Sequence, residues 1–112
     1  MQMLILILKK VELVDELMER LAEAGVKGGT ILEGTGMAKT LVNMEDVPIF
    51  GMLRHILSDE EKLKSKVLLF VLKNNQVMIA REKIKEVIGD LTKPNTGIMF
   101  SIPITEVEGF GE

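Results

Sequence analysis

Two stretches of this chain offer water no polar face. Residues 3–8, MLILIL, are apolar at every position, and residues 66–72, KVLLFVL, form a second continuous apolar run behind Lys66. A strand with one wet face alternates apolar and polar residues, so unbroken runs of this length read as strands apolar on both sides. Whatever fold the chain adopts must therefore cover both faces of two strands.

The segments that follow each run switch to helical spacing. From Val11, the residues Val14, Leu17, Met18, Leu21 and Ala24 line one side, while Glu12, Asp15, Glu16, Glu19, Arg20 and Glu23 fall elsewhere. That is a surface helix with a single buried side. A second helix is expected over about 76–88, capped by Asn75 and ended by Gly89, with Val77, Ala80, Ile84, Val87, Ile88 and Leu91 on its apolar side. Shorter strands are expected at about 29–33 and 98–104. The order is β-α-β, a long insertion at about 37–64, then β-α-β. Right-handed crossovers interleave two such units into a four-stranded antiparallel sheet with both helices on one face, the ferredoxin-like α+β fold, in one domain spanning 1–112. The other face of that sheet would be greasy and open, more than a soluble monomer tolerates, and a copy of the same chain is the simplest cover.

Residues 25–36, GVKGGTILEGTG, join the first helix to the second strand. Gly25 fits a helix C-cap, Thr30-Ile31-Leu32-Glu33 fits a strand, and Gly34-Thr35-Gly36 lets the exiting backbone expose its N–H groups. A glycine exit of this kind holds an anion or a nucleotide, or it merely turns the chain; the residues alone leave both readings open.

Composition removes several function classes. The formal net charge is −3, with 14 basic residues dispersed among 17 acidic ones, so nothing resembles a nucleic-acid surface. There is no cysteine, which excludes disulfides, thiolate nucleophiles and Cys-based zinc sites. The apolar start is short and has its lysines after it, so it is expected to be a strand of a mature cytoplasmic protein; no run approaches the roughly 18 apolar residues of a membrane span. The single histidine, His55, has no partner ligands and reads as an ordinary surface or core residue. Glu45-Asp46 and 58–61 read as solvated segments, with carboxylate cation binding as the lesser reading. Ser58 and Ser65 lack a plausible triad, no P-loop follows Gly34-Thr35-Gly36, and the chain is not expected to be an enzyme, nor to hold a metal or require a cofactor.

An apolar strand followed by Lys9 and Lys10, an acidic helix with Glu16, then Gly25-Val26-x-Gly28-x-Thr30 and Gly36-Met37, a long loop, a buried strand, a helix, and a terminal Gly97-Ile98-Met99-Phe100 with Pro103: this succession resembles the PII signal-transduction family. The resemblance implies a ferredoxin-like homotrimer, adenine-nucleotide binding in clefts between subunits, and control of a partner transporter or metabolic enzyme by a protruding loop. It carries Thr30, Gly36 and Met37 over as nucleotide contacts. Gly97 is the one glycine of the family's second phosphate loop that stands here.

This chain also departs from the family plan. Gly36-Met37-Ala38 replaces Gly-Phe-Gly, Ile98 stands where the phosphate-binding lysine would be, and the two C-terminal arginines fall near Gly109 and Gly111. Three cationic contacts at about 1.5–3 kcal/mol each are a heavy loss for a triphosphate site. Lys39, Lys93 and Lys9 would suit a smaller anion. Two function classes therefore stand: a ligand-sensing regulator, or a constitutive trimeric module or CutA-like protein with vestigial pockets. The absence of tyrosine excludes the nucleotidylation that controls other members of the family. In the insertion, Ile49, Phe50, Leu53, Ile56 and Leu57 form a stripe if 48–57 is helical. That stripe, with Phe50, Leu53 and Ile56 at its centre, either packs on its own trimer or docks a partner.

Overall fold

The computed structural model describes residues 1–37 and 64–111. Its elements run β1 (Gln2–Leu8), a single 3-10 turn (Val11–Leu13), α1 (Val14–Glu23), β2 (Thr30–Thr35), β3 (Lys64–Leu72), α2 (Asn74–Ile88) and β4 (Gly97–Pro103). The strands form one open antiparallel sheet in the order β2-β3-β1-β4. This is an α+β architecture, compatible with a ferredoxin-like fold.

Register decides which side chains meet. Leu4 lies opposite Phe70 and Leu6 opposite Leu68. Residues paired across antiparallel strands share a face, so Leu4, Leu6, Leu8, Leu68, Phe70 and Leu72 point the same way. All six are buried, in one cluster with Leu17 and Leu21 of α1 and Val77, Ala80, Ile84 and Ile88 of α2. Both helices therefore cover this inner face. Arg20 of α1 and Glu86 of α2 pair at 3.1 Å, but both side chains are well exposed, so the pair adds little to what the packing supplies.

The helix ends follow local chemistry. Gly25, at φ +89, closes α1. Its N–H donates to Ala22 O, and the N–H of Val26 donates to Leu21 O at 2.9 Å. These are the two bonds of a Schellman motif, and Val26, the residue beyond the glycine, is buried in the same cluster as Leu21. α2 starts two residues earlier than the sequence suggests. Lys73, in extended conformation, stands at the cap position rather than Asn75. The Lys73 N–H donates to Gln76 Oε1 and the Gln76 N–H to Lys73 O. Asn74, inside the first turn, instead accepts from the N-terminal amine and from Gln2 Nε2, which ties the start of α2 to the start of β1.

β2 is longer than the expected 29–33. Gly34 and Thr35 pair with Ser65 and Lys64, so they belong to the ladder and not to a free exit loop. A Cβ on Gly34 would run into the Ser65 hydroxyl, which explains the glycine there by packing. A second close approach occurs at the start of β4, where a Cβ on Gly97 would sit 2.6 Å from the carbonyl oxygen of Ile7. That oxygen is fixed backbone in the central strand. Gly97→Ala is therefore expected to destabilise the fold by about 1–3 kcal/mol, the usual cost of overpacking, measured as a lower urea midpoint at unchanged m. An unaltered midpoint would mean that β4 shifts freely along β1.

Candidate functional site

The face of the sheet away from the helices carries the alternate residues, and they are apolar too. Ile7 lies between Val67 and Ile98, with Leu32 beyond Val67; Ile5 lies between Leu69 and Phe100; Met3 lies between Val71 and Ile102. These rows are not covered as the inner face is. Ile98 is 60% exposed, Leu32 48%, Phe100 42% and Ile102 41%. The unbroken apolar runs thus have one dry side in the monomer and one side still partly open to water.

At the Met3–Val71 end of this outer face lies a groove of about 690 Å³. Met3, Leu69 and Val71 form its apolar base. The loop after α1, with Gly25, Lys27, Gly28, Gly29 and Thr30, makes one wall, and the C-terminal tail 107–111 contributes another. Local sequence explains the shape: the Schellman turn at Gly25 redirects the chain, and Gly29 must lack a side chain because a Cβ would lie 2.6 Å from the Phe70 ring. The amides of Lys27, Gly28 and Gly29 make no backbone hydrogen bond among the described residues. A second groove, of about 720 Å³ and lined by more charged side chains, lies at the opposite end of β2, among Glu12, Glu33, Thr35, Lys64 and Lys66, where Lys66 and Glu33 are paired with each other.

Of the residues singled out in the sequence, Thr30 lines the groove at the Met3–Val71 end. Gly36 and Met37 lie past the opposite end of β2, exposed, with Met37 77% accessible. Lys93 and Gly97 lie at that same end of the sheet but beside β4, and strand order puts β2 and β4 on opposite edges. Three strand spacings, roughly 14 Å, separate those edges within one chain. One chain therefore does not gather Thr30, Gly36, Met37, Lys93 and Gly97 into a single pocket. Lys39, Phe50, Leu53, Ile56 and His55, with the expected helix at 48–57, lie outside the described residues.

The 90–96 loop uses its polar groups on itself. Asp90 Oδ1 accepts from the Thr92 hydroxyl at 2.6 Å and from the Thr92 N–H at 2.9 Å. These bonds, the hydroxyl first, hold the Asp90 carboxyl below its ordinary pKa, although the group is solvent-exposed. The buried Thr96 hydroxyl donates to the carbonyls of Lys93 and Leu91. Asn95 takes φ +62 to close the turn. No motif marks the groove residues Met3, Leu69, Val71 and Glu108, and Lys27 stood out only as part of the glycine stretch 25–36. The one available clue was the uninterrupted apolarity of β1 and β3.

Among the described residues no group of three His, Asp or Glu side chains could hold a metal ion, and no helix is long and apolar enough to cross a membrane. No protein-family model matches the chain and no curated protein matches it, and nothing in these comparisons indicates a catalytic activity.

Proposed function

We propose that the chain is a PII-like regulatory protein, a homotrimer of ferredoxin-like subunits packed through their outer sheet faces. It holds a small ligand at clefts between subunits and acts on a partner transporter or enzyme through the 37–64 insertion. The observation that carries this reading is the outer face itself, where rows of Leu, Val, Ile, Met and Phe from all four strands remain partly exposed. Contiguous apolar surface of this kind marks an interaction site. Met3, Leu69 and Val71 belong both to that face and to the groove. A second subunit seated on the face would stand at the groove's rim, so binding and assembly would share residues. Adenine nucleotides and small anions are the ligands the family resemblance suggests, and Lys27, the one cation lining the groove among the described residues, favours a ligand of low charge over a triphosphate.

A second reading, a constitutive trimeric module or CutA-like protein with vestigial pockets, is favoured by the self-satisfied 90–96 loop, which keeps the Thr92 and Thr96 hydroxyls from any phosphate. A thermal-shift screen against small metabolites, including AMP, ADP, ATP, cyclic nucleotides and simple anions, separates the two. A true ligand at 100 times its dissociation constant adds about 2.7 kcal/mol of stability. A clear rise in melting temperature with one class supports the sensor; a trimer that no compound stabilises supports the module.

A further inference from the structure

We propose that the groove at the Met3–Val71 end of the sheet is a site for a free amino acid with a large apolar side chain; this rests on the ligand-sensing reading above and names its ligand class. The base offers Met3, Leu69 and Val71 to an apolar group. One wall offers three successive amides, of Lys27, Gly28 and Gly29, that have no backbone partner among the described residues, whereas the Val26 amide just before them is bonded to Leu21. Space beside Gly28 is open, since a Cβ there would meet nothing within 4 Å.

The charges select among ligands. Among the described residues the groove is lined by one cation, Lys27, and one carboxylate, Glu108. Neither is in an ion pair among the described residues. A polyphosphate would find a single positive charge and meet a negative one, while a purely apolar molecule would leave both charges unanswered. A zwitterion with an apolar side chain answers all three features: its carboxylate takes Lys27 and the loop amides, its ammonium takes Glu108, and its side chain lies on the base. Charge-assisted bonds of this kind are the strong ones. A volume of about 690 Å³ falls within the usual range for small-molecule sites.

Isothermal titration of the full chain tests this with L-phenylalanine and L-leucine, with 3-phenylpropionate and 2-phenylethylamine, which each lack one charge, and with ATP. The expected result is millimolar or tighter binding of one of the amino acids, and at least tenfold weaker binding of both single-charge analogues and of ATP. Lys27→Met and Glu108→Gln, both at exposed positions, are each expected to weaken amino-acid binding tenfold or more while leaving the ligand-free melting temperature unchanged. No binding of either amino acid, analogues that bind as well, or variants that bind as well would overturn the proposal. A trimer that binds neither amino acid sinks this inference and leaves the assembly standing; a monomer that binds one sinks the assembly and leaves the groove.

Discussion

Leu68→Ala is expected to lower the unfolding free energy by about 2–5 kcal/mol, the range for removing a buried leucine side chain. Leu68 is completely buried in β3, opposite Leu6 of β1 and Ile31 of β2, and it belongs to the cluster that joins the sheet to both helices. No neighbour can collapse into the space without moving a strand or a helix. Domains of this size have about 5–15 kcal/mol of stability in all, so the loss takes a large share. Urea denaturation of the variant measures it. Leu68→Met serves as the control, since a swap that keeps volume costs less than about 1.5 kcal/mol. If Leu68→Ala falls within the same small range as Leu68→Met, the inner face is not packed as described.

The second large effect concerns association and leaves the core alone. Phe100→Glu combined with Ile98→Glu places two carboxylates on the outer face, opposite Ile5 and Ile7. Both positions are substantially exposed in the single chain, so the subunit should keep its fold, with a stability change near the ±0.5 kcal/mol typical of surface sites. If copies meet through this face, each carboxylate must be buried without a partner, at an effective cost of several kcal/mol per ion. At micromolar concentration the assembly is then expected to fall apart into single folded chains, seen as a drop in mass by light scattering with the urea midpoint nearly unchanged. A variant that assembles like the parent would place the contact elsewhere.

The strands and helices were legible because each carries a strong local pattern. The apolar runs gave β1 and β3, and the spacing of Leu17, Leu21, Val77, Ala80, Ile84 and Ile88 gave the buried sides of both helices. Gly25 announced the end of α1, since its φ of +89 is one that few other residues accept. What misled was glycine read as punctuation. Gly34 sits inside β2, paired with Ser65, whose hydroxyl leaves no room for a Cβ there, a contact between residues distant in sequence that no local pattern records. Asn75 is a good cap by type, yet the helix begins before it, because Gln76 satisfies the Lys73 amide and Asn74 is engaged by the chain's own start. The site was harder still. Its base is the outer face of two strands, and its walls come from segments some eighty residues apart, 25–30 and 107–111. Only strand order brings them together.

The proposed assembly, and with it the regulatory reading, rests on the outer face of the sheet being covered by other copies. Multi-angle light scattering on the unmodified chain at micromolar concentration tests that claim most directly. The account predicts a mass three times that of the 12.5 kDa chain. A single species with the mass of one chain would contradict it.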